Sequence, residues 1–189
     1  MISEKETGEI KGRMVYNGKP TREWFSKEDV ASPTVTTEGV FLTAAIDAKE
    51  KRDIMVNDVP NAFIQADAPR GDVKTIMKIT GVLVDLLVEI APETYKNFVV
   101  MERGRKVIYV VVLRAICGML QAALLWYQKF KKDLEEAGFN FSPYDGCVVT
   151  RIVKGAQHTI RFHIDDILIS HVDKRVNDVF EKWLSLIHI

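Results

Sequence analysis

The sequence predicts an α+β fold in which helices lie beside a mostly antiparallel sheet. Short β-favouring apolar segments recur along the chain, and hairpin-type turns join them at Arg103-Gly104-Arg105 and Lys154-Gly155-Ala156. Two longer segments, 119–137 and 173–184, instead repeat apolar residues every three or four positions, which is typical of amphipathic helices. The chain contains no internal repeat and no low-complexity stretch.

Composition is that of a folded, soluble chain. Of 189 residues, 47% are hydrophobic and 28% charged, which is enough apolar material for a core. Lys+Arg and Asp+Glu both number 26, so any surface for a polyanion must be a local patch. Cys117 and Cys147 match no disulfide framework or zinc-ligand spacing, and we expect two core thiols in a reducing, intracellular setting. The apolar runs are too short for a membrane span, and the polar N-terminal segment is unlike a signal peptide.

The first third of the chain begins with a loose end over 1–9 and a strand over 10–16, followed by a hairpin-type turn at Asn17-Gly18-Lys19. Thr36 precedes a helix over 40–48. A short strand over 53–59 carries Asp58 near its end, where Pro60 stops it.

The rest of the chain alternates strands and helices. Helix 119–137 has an apolar stripe and ends before Gly138, a residue typical of helix C-termini. The final helix is expected to bury Val176, Val179, Phe180 and Trp183. The other predicted elements are strands over 74–79, 97–102, 106–113, 148–153 and 159–163, and a helix over 82–90. The helical stripe of 119–137 is predicted to consist of Leu120, Ala123, Leu124, Tyr127, Phe130 and Leu134.

Two adjacent carboxylates, Asp165 and Asp166, stand between two apolar runs and are predicted at the tip of a buried hairpin. Carboxylates this close repel each other and raise each other's proton affinity, a penalty that a divalent cation removes. If the strand of Asp58 adjoins this hairpin, three acids converge and can hold two Mg²⁺ ions about 3.5–4 Å apart, an arrangement that serves phosphoryl transfer. The alternatives are a plain polar turn at the doublet and a strand-end cap at Asp58.

Six segments in a fixed order carry a family resemblance. They are Lys11-Gly12-Arg13-Met14-Val15, Ala31-Ser32-Pro33-Thr34-Val35, Asp58-Val59-Pro60-Asn61-Ala62-Phe63, Ala115-Ile116-Cys117-Gly118-Met119-Leu120-Gln121-Ala122 with Trp126-Tyr127, Gly138-Phe139 through Val148, and His163-Ile164-Asp165-Asp166. In this order they resemble the reverse transcriptase domain of copia-type LTR retrotransposons. The chain departs from the family pattern at Leu120, at Ala123-Leu124 and at His163, where Lys, Pro-Arg and Tyr are more common.

The resemblance implies a fingers-and-palm domain with RNA-directed DNA polymerase activity that depends on two Mg²⁺ ions, with Mn²⁺ as a possible substitute. It implies that Asp58, Asp165 and Asp166 are the catalytic and metal-binding carboxylates. Phe63 would lie under the incoming sugar and exclude a 2′-hydroxyl, and Gln121 would contact the incoming nucleotide. Arg13 and Lys11 would reach the triphosphate. The plainer alternatives are a core aromatic at Phe63 and solvated side chains at the other three positions.

A basic patch is the candidate nucleic-acid surface. Residues 101–135 contain seven basic and three acidic residues, a net of +4 (7 − 3). Contacts of such residues with phosphates give sequence-independent, salt-sensitive binding. The candidates are Arg103, Arg105 and Lys106, whereas Lys129, Lys131 and Lys132 fit a solubilised helix equally well.

By this resemblance, residues 10–185 form the fingers and palm, and 186–189 form a C-terminal tail. We expect the thumb, RNase H and integrase parts of a Pol polyprotein to be missing, and extension by this fragment alone to be weak or absent. Template-primer and deoxynucleoside triphosphates are the implied partners, and no membrane is. A non-catalytic relic that binds nucleic acid and an unrelated α+β interaction module are the alternatives. Whether the location is a cytoplasmic particle or the nucleus stays open.

Overall fold

A computed structural model of the chain describes residues 2–4, 7–8, 10–12, 15–69 and 74–187. In chain order the strands and helices are β1 (Ile2–Glu4), β2 (Ile10–Gly12), α1 (Thr37–Glu50), β3 (Asp53–Asp58), α2 (Ala62–Gln65), β4 (Ile76–Thr80), α3 (Val82–Ile90), α4 (Pro92–Tyr95), β5 (Val100–Glu102), β6 (Arg105–Val111), α5 (Ala122–Glu136), β7 (Asn140–Phe141), β8 (Val148–Val153), β9 (Ala156–His163), β10 (Asp166–His171) and α6 (Lys174–Ile187). Short 3₁₀ turns cover Lys19–Trp24 and Lys96–Phe98. The predicted mixture of helices and antiparallel sheets is confirmed.

The chain divides into two compact units. The first comprises Met1–Ala66 with Ala115–Ile189, and the second comprises Asp67–Arg114. The first unit contains a five-stranded antiparallel sheet in the order β3-β10-β9-β8-β7, in which β3 is an edge strand. It also contains the pair β1-β2.

Helices α5 and α6 bury one face of the five-stranded sheet. Side chains alternate along each strand, so Ile167 and Ile169 share a face with Phe162 and Ile160, their partners across the β9–β10 pair. These residues form the core with residues of the two helices and their surroundings: Trp126, Phe130, Leu134, Phe139, Phe180 and Leu184. Burial of these side chains stabilises the unit by about 25 cal/mol per Å² of apolar surface.

Helix α1 is attached to the opposite face. Thr36 caps its N-terminus by accepting a hydrogen bond from the Gly39 N–H at 3.0 Å. Buried Asp145 accepts hydrogen bonds from both the N–H and the hydroxyl of Thr36 at 2.9 Å. Arg161 of β9 donates to the Val40 carbonyl at 2.9 Å and also to the Thr43 hydroxyl. The helix is therefore fixed at its start by the loop between β7 and β8, and along its side by the sheet.

The second unit contains a small sheet and the helices α3 and α4. Strands β4, β6 and β5 form an antiparallel sheet in that order, and Val84 of α3 is fully buried. Lys106 pairs with Asp85 at 2.5 Å, which joins β6 to α3. The β5–β6 hairpin turns through Arg103 and Gly104, both at positive φ, as the sequence predicts for a two-residue turn.

Several predicted local features are wrong. Asn17-Gly18-Lys19 forms no hairpin: the Asn17 side chain accepts a hydrogen bond from the Lys19 N–H at 3.2 Å, and a 3₁₀ turn follows. Gly18 is buried, and a Cβ there would lie 2.4 Å from the Gly118 carbonyl oxygen. This glycine therefore permits a close approach of two backbone segments.

The buried stripes of both long helices also differ from expectation. In α5 the fully buried residues are Ala122, Trp126, Phe130 and Leu134, at a spacing of four, whereas Leu120, Ala123, Leu124 and Tyr127 are half-buried. In α6, Val179 is 63% exposed because the buried positions are Val176, Asn177, Phe180 and Leu184. Within the described part of the chain, no helix combines the length and hydrophobicity that crossing a bilayer requires.

Candidate active site

The junction between β3 and α2 presents the first candidate acid. Strand β3 ends at Asp58, and Pro60, which lacks an N–H for the ladder, follows two residues later. Asn61 takes the left-handed conformation at φ 54°, which Asn tolerates better than most residues, and α2 begins at the next residue. Val59 and Ala62 are buried at 2% and 4% exposure, while Asp58 is exposed and Phe63 half-buried. Buried Val59 and Ala62 thus fix the turn that carries Asp58 and Phe63.

The hairpin between β9 and β10 presents the other two acids. Its loop consists of Ile164 and Asp165, and Asp166 is already the first residue of β10. The prediction that both acids lie at the tip is therefore correct only for Asp165. Ile164 has φ 60°, a left-handed conformation that costs an L-residue roughly 1–2 kcal/mol and is rare for a β-branched one. Trp126 donates its indole N–H to the Ile164 carbonyl at 2.7 Å.

The acids meet across neighbouring strands. Asp58 of β3 is the direct cross-strand partner of Asp166, which is in turn the partner of His163. Directly opposite residues project to the same face of a sheet, with Cβ atoms about 4.5–5.5 Å apart. The side chains of Asp58, Asp166 and His163 therefore form one row across the sheet. The Val59 N–H donates to the Asp165 carbonyl at 3.1 Å and joins the loop to the end of β3.

A cleft of about 540 Å³ opens beside this row. Asp58 and Asp165 both border it, and Phe63 and Cys117 do so too. The full lining is Gly12, Asp58, Val59, Pro60, Asn61, Ala62, Phe63, Ile64, Ile116, Cys117 and Asp165. Asp166 instead borders a smaller cleft of about 200 Å³, whose lining includes Val56, Arg161 and Leu168. The structure thus brings Asp58 and Asp165 to one cleft and sets Asp166 opposite Asp58 beside it.

Asp58, Asp165 and Asp166 are the candidate cation ligands at this cleft and beside it. Among the described residues, no group of three or more His, Cys, Asp or Glu side chains is arranged to hold a metal ion. Mg²⁺ in polymerase-type sites is bound by one or two carboxylates together with substrate phosphates and water. Asp58 and Asp165 on one cleft, with Asp166 beside Asp58, supply such oxygens, and no hydrogen bond or ion pair to these three side chains is found among the residues described.

The residues expected to contact the nucleotide differ in their position relative to the cleft. Phe63 borders the cleft. Gln121 lies half-buried at the N-terminus of α5 and does not border the cleft. Lys11 belongs to β2, but its side chain lies outside what the structure describes, and Arg13 lies outside the described residues altogether.

The candidate nucleic-acid residues of the second unit are exposed. Arg103 is at the hairpin turn and Arg105 starts β6. Lys106 is engaged by Asp85. In the first unit, Lys129, Lys131 and Lys132 pair with acids four residues later on α5, at 2.6, 3.8 and 3.7 Å, which favours the solubilised-helix alternative for these three.

Two residues of the site were not predicted from the sequence. Cys117, expected as a core thiol, is exposed and borders the cleft, because the backbone of 117–118 runs along the segment 16–18 instead of entering the core. Trp126 donates a hydrogen bond to the loop that carries Asp165. The sequence feature that indicates its burial is its four-residue spacing with Ala122, Phe130 and Leu134.

Together the fold and the cleft define a mixed α/β protein with carboxylates gathered at the ends of adjoining antiparallel strands. The family model described as reverse transcriptase (RNA-dependent DNA polymerase) matches residues 2–186. The chain therefore belongs to the reverse transcriptase family, which implies a nucleic-acid template-primer and nucleotides as substrates. No curated protein and no solved structure matched the chain.

Proposed function

We propose that this chain is the fingers-and-palm part of a copia-type reverse transcriptase, which adds deoxynucleotides to a primer 3′-hydroxyl on an RNA template. The observation that carries the proposal is the shared cleft of Asp58 and Asp165 at the ends of adjoining strands. Family membership supports the polymerase activity, and the six ordered segments favour the copia type.

The reaction is an in-line displacement at phosphorus. The primer 3′-hydroxyl gives up its proton to water as its oxygen forms a bond to the α-phosphorus of the incoming nucleotide. The bond from that phosphorus to the bridging oxygen breaks, and pyrophosphate leaves with that electron pair. Asp58, Asp165 and Asp166 would hold two Mg²⁺, or Mn²⁺ in their place, and the bound ions would supply positive charge that stabilises the attacking and leaving oxygens. The protein itself contributes mainly position and fixed charge.

The remaining residues orient the nucleotide. Phe63 borders the cleft together with Asp58. Its ring is proposed to lie under the incoming deoxyribose, where a 2′-hydroxyl would meet it. Gln121, Lys11 and Arg13 are proposed as contacts to the incoming nucleotide. The exposed Arg103 and Arg105 are proposed as phosphate contacts to the template-primer, since such contacts depend on charge and not on sequence.

Primer extension tests the proposal. We expect weak extension, the addition of a few nucleotides to an oligo(dT) primer on poly(rA) with dTTP and Mg²⁺. Asp165→Asn should lower the rate of this addition by more than about a hundredfold, because a carboxylate that binds the transition state is lost. Asp178→Asn makes the same chemical change on α6 and is the matched control. Equal rates for the Asp165 variant and wild type would contradict the proposal.

A companion binding measurement separates polymerase from relic. Salt-dependent binding of the template-primer without any extension would favour the non-catalytic alternative. Calorimetry with Mn²⁺ should show cation binding that Asp165→Asn weakens. If no cation binding depends on the acids, the unrelated interaction module becomes the better interpretation.

A further inference from the structure

The loop that carries Asp165 is held from two sides. The Trp126 indole N–H donates to the Ile164 carbonyl at 2.7 Å, and the Val59 N–H donates to the Asp165 carbonyl at 3.1 Å. Two consecutive carbonyls are thus fixed by groups from α5 and from the end of β3. The hairpin alone therefore does not set the direction of the acid.

Ile164 makes this support necessary. Its φ of 60° is left-handed, although the residue is β-branched and half-buried against the core. Strained residues of this kind persist only where the surrounding structure over-determines them. Relaxation of Ile164 would rotate the next peptide, which belongs to Asp165.

The indole is suited to hold the loop because it is itself immobile. Trp126 is 1% exposed and stacks on Phe130, with ring centroids 5.3 Å apart and planes at 9°. Phe130 meets Phe162 of β9 edge-on at 5.0 Å. The donor is therefore fixed by packing, and its direction is set before it reaches the loop.

We propose that Trp126 is a positioning residue for Asp165. Its N–H holds the Ile164 carbonyl, which keeps the loop in the left-handed form and keeps Asp165 on the cleft that it shares with Asp58. This inference rests on the proposed function, since its purpose is to place a carboxylate for phosphoryl transfer. The competing interpretation is that Trp126 is an ordinary core residue that satisfies its buried N–H.

The first test compares two identical substitutions. Trp126→Phe keeps an aromatic ring and removes the donor, and Trp183→Phe does the same at a half-buried tryptophan that packs on Phe180 at 5.0 Å. We expect Trp126→Phe to lower kcat about ten- to a hundredfold with an unchanged KM for dTTP, because small misplacements of reacting groups are costly. Trp183→Phe should change kcat less than about twofold. Equal losses of kcat in the two variants overturn the proposal.

The second test is a rescue. Glycine adopts positive φ without steric cost, so Ile164→Gly removes the need for the hydrogen bond. In the Trp126→Phe background, Ile164→Gly should recover kcat several-fold even though Tm falls with the lost isoleucine. A core-packing role predicts a further loss instead, and that result overturns the proposal.

The third test does not depend on turnover. Hydrogen exchange of the Val59 amide, which binds the Asp165 carbonyl, should be about tenfold faster in Trp126→Phe and unchanged in Trp183→Phe. Unchanged exchange in Trp126→Phe overturns the proposal whatever the activity. If Trp126→Phe does not fold, benzothienylalanine at position 126 keeps the bicyclic ring, replaces the N–H with sulfur and should show the same exchange.

The two proposals fail separately. If wild type does not extend a primer, or if Asp165→Asn extends as well as wild type, the proposed function fails, and Val59 exchange still decides the role of Trp126. If wild type extends and Asp165→Asn does not, an unperturbed Trp126→Phe removes only the positioning role.

Discussion

A histidine buried in the core of the first unit predicts that the chain loses stability in mild acid. His158 of β9 is fully buried, and among the described residues neither ring nitrogen has a hydrogen-bond partner. Its ring lies against Phe139, Phe180 and His171, at centroid distances of 5.4, 5.6 and 5.7 Å. Burial, helped by the nearby positive charge of Arg151, lowers the pKa of His158 from 6.5 to about 3.

The sign and size of the effect follow from proton linkage. Between pH 6.5 and about 3 the unfolded chain binds a proton at this imidazole and the folded chain does not, so stability falls as pH falls through this window. Each pH unit is worth 1.36 kcal/mol, so moving from pH 7 to pH 5 should cost about 2 kcal/mol. That is a large part of the roughly 5–15 kcal/mol of a typical domain.

Urea unfolding, followed by tryptophan fluorescence at pH 5, 6, 7 and 8, measures this loss. His158→Leu should remove about 2 kcal/mol of the pH dependence, because no titrating group remains at the position. His163→Gln, which replaces an exposed histidine on the same strand, should retain it. A wild-type stability that is flat from pH 7 to pH 5, or a slope that survives in His158→Leu, would refute the reasoning.

Three further predictions concern the cleft and its surroundings. Iodoacetamide at pH 8 should alkylate Cys117, which borders the cleft, and spare Cys147, because burial raises the pKa of the Cys147 thiol to about 12. Mass spectrometry should find one adduct, and two adducts would contradict the burial of Cys147. Gly39→Ala should lower the free energy of unfolding in urea by about 1–3 kcal/mol, because the new Cβ would lie 2.3 Å from the Asp145 carboxylate that binds the start of α1. An unchanged stability would show that the cap tolerates displacement of this carboxylate. Phe63→Ala should raise incorporation of rNTP relative to dNTP in primer extension, and an unchanged ratio would remove the ring from sugar selection.

Local chemistry was sufficient to predict much of the fold. Thr36 has a side chain that caps a helix, and α1 begins directly after it. Gly138 adopts φ 82° after α5, and the Phe139 N–H closes the helix end on the Leu134 carbonyl. Lys154 and Gly155 turn a hairpin at positive φ. Each of these features depends on residues within a few positions of one another, so it is visible in a single sequence.

Contacts between distant segments were not predictable in the same way. Asn17-Gly18 has the composition of a hairpin turn, but Gly118, a hundred positions away, decides the outcome by its close approach. The pairing of Asp58 with Asp166 is a long-range register, and the residues alone predicted their convergence only on the condition that the strand of Asp58 adjoins the hairpin. The same holds for Cys117, whose exposure depends on the segment that runs beside it.

Strand β3 carries Asp58 along a border of the sheet, and this has a practical consequence for mutagenesis. Ile54 and Val56 are 50% and 70% exposed on this strand, and an apolar edge strand invites another chain to add to it and aggregate. Asp53 and Asp58 place a negative charge at each end of the strand and act as gatekeepers against such association. Asp58→Asn therefore removes a gatekeeper together with a candidate cation ligand. A loss of activity in that variant must be accompanied by a light-scattering measurement, which shows whether the protein has aggregated. Asp165, which lies in a loop, is the cleaner position for an inactive reference protein.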